Sequence, residues 1–418
     1  MNTRIETAEN CESDVESDWI TVDAALAQIQ AQIKPINASV KRPLRDGLGQ
    51  VLAQSIVSTI DVPGHTNSAM DGYALNGEDL PEDTTSLTII GKAMAGQPFI
   101  GQCQRGECVR IMTGAIMPAG TDSVVMQEQS LLIDESTVKI GSGHRSGQNV
   151  RHAGEDIEKG AEVFGSGRRI NAADLGVLAS FGFAEIAVKR KVRVAFFSTG
   201  DELRSVGQSL DAGQIYDSNR YTLFGMLSKL DVEICDLGVI ADRPEAVTQA
   251  FEQAANMADV VITSGGVSVG EADYIKPTLR KMGNINFWKI AMKPGRPLTY
   301  GQLDKAHFFG LPGNPVAVMV TFLQFVKPAL QQLAGETPKP AVRVKAVCQN
   351  MIRKRPGRTE YQRGIYTQDA KGNMSVELTG RQGSGILTSM SEANCLIVLN
   401  DEQGAVKQGD SVLIELLD

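Results

Sequence analysis

Between residues 192 and 335, short β-branched or aromatic runs alternate with segments of helical periodicity. That alternation restricts the stretch to parallel βαβ units with right-handed crossovers. Val192 to Phe197, Val232 to Val239, Val260 to Ile262, Ile285 to Ile290 and Phe308-Phe309 read as strands. Asp217 or Ser218 starts a helix through Tyr221, Phe224, Met226, Leu227 and Leu230. Asp242 is placed to cap a second, with Pro244 in its first turn and Val247, Ala250, Phe251 and Ala254 along it. Pro315 to Leu333 is the last helix. The fold class expected here is a doubly wound parallel sheet.

Ligands of such sheets collect at the carboxyl ends of the strands. The strand Val260 to Ile262 runs into Thr263-Ser-Gly-Gly-Val-Ser-Val-Gly270, with a helix expected from Ala272 to Met282. Gly265, Gly266 and Gly270 let an anion approach backbone N–H groups, with Ser264 and Ser268 as further donors. On its own, this turn is equally compatible with a tight connection that binds nothing. Further polar clusters follow other strands: Thr199-Gly-Asp-Glu202, Asp242, and Gly310-Leu-Pro-Gly-Asn-Pro315. Asp201, Glu202, Asp242 and Asp273 singly are caps or solvated charges. Converging, they would repel unless a cation intervened, which points to Mg²⁺. Lys289, Lys293 and Arg296, placed after a strand among glycines, suit phosphate or another oxyanion. Walker A and Gly-x-Gly-x-x-Gly patterns are missing, which disfavours the usual P-loop and dinucleotide-binding enzymes.

The net charge of −8 and 5% aromatic content disfavour a nucleic-acid coat, a membrane-surface binder or a single-strand stacking platform. No uninterrupted apolar run of about 18 residues occurs, and the N-terminus lacks a basic, apolar signal. Six cysteines without a Cys-x-x-Cys pair and four ungrouped histidines speak against structural zinc, and for reduced thiols in the cytoplasm.

The remaining chain suggests further domains. Residues 1–18 form a polar, acidic tail. Thr21 can cap a helix through Val22, Ala25, Leu26, Ile29 and Ile33, ending before Pro35, and Asn171 or Ala172 opens another through Phe181. Together these give a discontinuous helical linker domain, 19–56 and 155–191. It is interrupted by a β-rich insertion over 57–154, whose short apolar runs are broken by glycine. The long polar loop Asp61 to Tyr73 carries Asp71, a functional candidate or simply the closer of an Asx-turn. Thr113 ends a strand beside Gly114, and the loop from Ser146 to Asp156 carries Arg151, suited to an anion or to solvent. The α/β domain spans 192–337. Five short strands over 338–418 indicate a small β-barrel or sandwich.

Several motifs, in order, make the chain similar to a known family. They are Asp61-Val-Pro-Gly, Asn67-Ser-Ala-Met-Asp-Gly-Tyr-Ala74, Phe197-Ser-Thr-Gly-Asp-Glu-Leu203, Ser264 to Tyr274, Met292-Lys-Pro-Gly and Gly310-Leu-Pro-Gly-Asn-Pro315. They resemble the molybdopterin molybdenumtransferases, the MoeA family, which includes the gephyrin E domain. The resemblance implies a MogA-like central domain and insertion of molybdate into adenylylated molybdopterin, with release of AMP and help from Mg²⁺. It also implies a homodimer, with Asp71, Thr113 and Arg151 closing the site across subunits. Functional positions carried over by motif are Asp71, Thr113, Arg151, Asp156, Glu202, Asp242, Asp273, Lys289, Lys293, Pro312, Pro315, Arg358 and Ser384. The preceding adenylyltransferase and recipient molybdoenzymes are candidate partners. Arg296 stands where many relatives carry lysine, and His65-Thr66 interrupts the loop match. Rival expectations are adenylyl transfer to molybdopterin, whose proteins resemble only the α/β domain, and a gephyrin-type scaffold.

Overall fold

The computed structural model describes residues 19–265, 275–337 and 339–417. The chain separates into two compact units, Lys41–Val188 and the combination of Met1–Val40 with Lys189–Asp418.

The larger unit is built on a six-stranded sheet in the order Val232–Ile240, Val192–Thr199, Val260–Ser264, Ala306–Leu311, Pro297–Leu303, Gly283–Lys289. The first four strands are parallel. The last two are antiparallel, so the expected parallel sheet carries an antiparallel extension at one edge. The chain length explains it: a parallel return needs a crossover of about a dozen residues, and only Asp304-Lys305 joins Pro297–Leu303 to its neighbour. The strand Pro297–Leu303 escapes a periodicity reading because it begins at a proline and contains Gly301.

Successive side chains of a strand face opposite ways, so the strand Val192–Thr199 feeds two cores. Val194 and Phe196 pack with the helices Val22–Gln32, Ser218–Ser228 and residues 315–333, while Ala195 and Phe197 meet the helix Pro244–Met257 on the other face. The caps foreseen at Thr21 and Asp217 are present, accepting from the N–H groups of Ala24 and Arg220. Asp242 differs: the cap position of the helix it was expected to start falls one residue later, on Arg243, whose side chain makes no capping bond. Among the described residues, 315–333 is the one helix long and apolar enough to cross a membrane, yet 67% of its apolar window is buried in the protein. Its turn Phe322–Val326 is π-helical. Pro328, immediately beyond, has no N–H for the carbonyl four residues back, which accounts for the irregularity.

The strands of the C-terminal part close into a barrel: Thr359–Gln368, Met374–Leu378, Arg343–Cys348, Ser411–Leu416, Cys395–Leu399 and back to the first. Closure removes exposed strand edges. The short strand Met292–Lys293, leaving the α/β sheet, pairs in parallel with the start of Thr359–Gln368. Farther along, Gln324 donates to Glu415 at 2.8 Å inside the protein, joining the last helix to the barrel.

The smaller unit holds a six-stranded sheet in the order Ser123–Met126, Gly72–Leu75, Glu107–Ile111, Thr85–Ala93, Thr137–Ile140, Ser130–Asp134. Its helix Ala172–Ser180 starts with a reciprocal capping box between Asn171 and Asp174. Asp174 also takes two hydrogen bonds from Arg168, at 2.9 and 2.8 Å. The stretch 51–60 forms isolated bridges and the short strand Ile56–Val57.

Candidate active site

In the larger unit, the carboxyl ends of the parallel strands and the barrel enclose a cavity of about 590 Å³. Its sheet side comes from the ends of the four parallel strands and the loops after them. Thr199, Gly200 and Glu202 follow the strand Val192–Thr199, Asp242 follows Val232–Ile240, and Gly265 follows Val260–Ser264. Pro312, Gly313 and Asn314 lead into the last helix. Gly265 has φ +87°, and a Cβ there would lie 2.9 Å from the Thr199 carbonyl oxygen, so glycine is required. The Thr199 hydroxyl is buried and has no hydrogen-bond partner among the described residues. A buried, unpaired polar atom lining a cavity is what a ligand's oxygen would satisfy.

The cations converge from two directions. Lys293 and Arg296 come from the loop carrying Met292–Lys293, while Arg363 comes from the barrel strand Thr359–Gln368. Arg363 is 1% exposed and donates to the Ser389 hydroxyl and the Gly383 carbonyl, each at 3.1 Å. No carboxylate pairs with it among the described residues. Burial lowers its pKa to about 10, which leaves it a cation at neutral pH. A buried guanidinium without a counterion is costly unless an anion completes it. Gln382, whose side-chain oxygen accepts from the Arg363 N–H at 2.7 Å, holds this strand against the loop that brings in Gly383 and Ser384.

Of the positions singled out in the sequence, Glu202, Asp242, Gly265, Lys293, Pro312 and Ser384 line this cavity. Ser264 does not: it is 1% exposed and pairs internally with the Ser198 hydroxyl at 3.1 Å. Pro315 opens the helix behind the cavity, and Lys289 lies on the antiparallel strand opposite Pro297. Arg358 sits over the Trp19 ring at 5.9 Å, outside the lining, and Arg296 approaches the same ring at 5.8 Å. Gly266, Ser268, Gly270 and Asp273 lie outside the described residues. Arg363 was missed by sequence reasoning. Its one local signal is a charged residue within the strand-like run Tyr361 to Tyr366, and nothing local ties it to Lys293.

The smaller unit has its own polar constellation. Asp71 accepts two hydrogen bonds from Thr113, one from its N–H and one from its hydroxyl, both 2.7 Å. The next residue must be glycine, because a Cβ at Gly72 would stand 2.0 Å from the Val125 carbonyl oxygen. Arg151 pairs with Asn67 across two short strands, and the Asp156 N–H donates to the Val62 carbonyl at 3.0 Å. The backbone bond from Thr113, then that of its hydroxyl, holds the Asp71 carboxyl below its ordinary value of 3.8. A depressed carboxylate pKa stabilises the fold above the unfolded value and loses that contribution as pH falls through the folded one. A carbon-13 titration should therefore place the Asp71 midpoint below 3.8 and move it upward in Thr113→Val. A midpoint at or above the ordinary value would refute the hold of Thr113 on this carboxylate.

The buried thiols are not reactive groups: burial raises Cys108 and Cys395 to about 12. Among the described residues, no three His, Cys, Asp or Glu side chains form a metal-binding group.

Comparison with known proteins agrees with this geometry. Residues 20–182 match the profile of the MoeA N-terminal region (domain I and II), residues 195–332 a "Probable molybdopterin binding domain", and residues 345–417 the MoeA C-terminal region (domain IV). The chain is 43% identical to molybdopterin molybdenumtransferase of Haemophilus influenzae, over 95% of this chain and 98% of that protein. It is 33% identical to gephyrin of Dictyostelium discoideum, over 94% of this chain and 61% of that one. The crystal structure of a molybdopterin biosynthesis MoeA protein from Pyrococcus horikoshii superposes with a TM-score of 0.84, at 29% identity, over 96% of this chain and 100% of the other. Matching region by region along nearly its whole length, the chain belongs to the molybdopterin molybdenumtransferase (MoeA) family.

Proposed function

We propose that this protein inserts molybdate into adenylylated molybdopterin, yielding molybdenum cofactor and AMP. The observation that carries the reading is one cavity in which three cations, Lys293, Arg296 and Arg363, meet two carboxylates, Glu202 and Asp242. Cations beside an unpaired hydroxyl suit a tetrahedral oxyanion and phosphates. The carboxylates fit a hard divalent ion, because Mg²⁺ takes one or two protein carboxylates and completes its shell with water and substrate phosphate.

Glu202 and Asp242 would hold that Mg²⁺. When bound, it supplies neutralisation of charge on the phosphoanhydride. The chain's own residues do the rest. Arg363 and Lys293 bind the oxyanion and fix it against the pterin end of the substrate, Arg296 adds charge at the rim, and Thr199 donates a hydroxyl. Gly265 lets the backbone close on the ligand, and the cavity walls limit water. Cleavage of the anhydride needs developing charge met by cations held at the cavity, which these side chains supply. The dithiolene sulfurs of the substrate receive the metal, and the buried protein thiols take no part.

We further propose a cytoplasmic homodimer of four-domain subunits. The half-exposed apolar side chains Val206, Leu210, Ile215, Tyr216, Tyr221 and Phe224 support a subunit contact. Asp71, Thr113 and Arg151 are assigned to the same reaction, and the preceding adenylyltransferase and recipient molybdoenzymes are the expected partners. Incubation with adenylylated molybdopterin, Mg²⁺ and micromolar molybdate should release AMP together with a metal-containing pterin. If AMP stays bound in the pyrophosphate linkage under these conditions, the assignment fails.

A further inference from the structure

We propose that Glu360 is a positioning residue for Lys293, setting where the lysine ammonium stands in the cavity. The inference rests on the oxyanion reading of the site given above.

The two residues are neighbours by strand register. Met292–Lys293 pairs in parallel with the start of Thr359–Gln368, with Lys293 opposite Glu360, and the Thr359 N–H donates to the Ala291 carbonyl at 2.9 Å. The Glu360 side chain is 4% exposed, and Lys293 is 52% exposed above it. One Glu360 oxygen accepts from the Gln362 amide at 2.6 Å, and the other stands 3.9 Å from the Lys293 nitrogen. Gln362 and Lys293 both line the cavity, whereas Glu360 does not. The carboxylate is therefore a fixed charge behind the lysine, clamped by its neighbour's amide.

A separation of 3.9 Å is too long for a hydrogen bond. The ammonium keeps its three donors for a ligand, while Coulomb attraction narrows the positions its flexible stem can take. Lys354, a second ammonium close enough to feel Glu360, is committed elsewhere: it is 7% exposed and donates to the carbonyls of Gln403 at 2.7 Å and Arg355 at 3.3 Å. Lys293, half-exposed and opposite Glu360 in the strand register, is the cation of the cavity that Glu360 can steer.

Two effects of the carboxylate oppose each other in an anion site. Its charge weakens the field felt by molybdate, and its hold on Lys293 strengthens the contact. The geometry favours the second, because the ligand meets the ammonium directly and Glu360 only through it. Glu360→Gln keeps the shape and the bond with Gln362 but loses the charge. It should raise the KM for molybdate about tenfold, with kcat within about threefold of wild type and an unchanged melting temperature. Glu360→Asp should restore part of the loss. In a Lys293→Met background, Glu360→Gln should add nothing, since the group it steers is gone.

A fall in KM would overturn the proposal in favour of simple charge repulsion. An equal loss in both backgrounds would overturn it in favour of a structural role. Wild-type activity in Lys293→Met alone would instead remove the oxyanion reading beneath it, so the two failures are told apart.

Discussion

Replacing Arg363 with methionine is expected to cut kcat/KM for molybdate insertion about a hundredfold or more while leaving stability unchanged or slightly higher. The two signs differ for one reason. In the folded protein the guanidinium is almost fully enclosed, its pKa lowered by burial, and its partners are neutral: a hydroxyl and a carbonyl. Methionine fills similar space without desolvating a charge. Its introduction costs few partners, because the Ser389 hydroxyl also donates to the Ile386 carbonyl at 2.6 Å. Catalysis has no such substitute, since the most enclosed cation of the cavity is lost. Arg363→Lys should recover little, because one ammonium cannot reproduce a planar fork of donors. The test is steady-state AMP release at varied molybdate, paired with thermal melting. Near-normal kcat/KM in a well-folded Arg363→Met protein would remove this residue from the site.

The second large effect concerns stability. Phe251, fully buried on the helix Pro244–Met257, packs edge-on against Phe197 at 5.2 Å and Phe308 at 5.4 Å. Its removal to alanine leaves a void between helix and sheet, at a cost of about 3–5 kcal/mol. The loss should appear in the denaturant transition of the α/β part, which a tryptophan signal from Trp288 can follow. Since Asp242 stands just before this helix and Phe197 two residues before Thr199 and the Glu202 turn, activity should fall at temperatures below the melting transition. A change below about 1 kcal/mol would mean that the aromatic trio is not the clamp of this face.

The central domain was legible because each of its signals is local. Val192 to Phe197 and Val260 to Ile262 are apolar on both faces, Asp217 and Thr21 cap through the N–H three residues on, and the polar loops follow their strands directly. Carboxyl-edge placement then put Glu202, Asp242 and Gly265 at one rim without knowledge of strand order. Legibility ended where distant pairing took over. The antiparallel edge depends on which strands pair in the fold, whereas the shift of the cap position from Asp242 to Arg243 and the π-helical turn before Pro328 are local details that period and cap signals do not specify. Among the cations, Lys289 and Lys293 look alike in sequence, yet only Lys293 lies in the strand that turns from the sheet to the barrel and reaches the cavity.

By itself the sequence determined the βαβ core, the small β modules, the family and the placement of Glu202 and Asp242 after strands of one sheet, since period, caps and post-strand loops act over a few residues. Only the tertiary structure decided that Arg363 lines the cavity with Lys293 while Arg358 sits over Trp19 outside the lining, and that Glu360 stands behind Lys293. Those choices depend on barrel closure and on the register between Met292–Lys293 and Thr359–Gln368, a contact between segments far apart in the chain that no local pattern encodes.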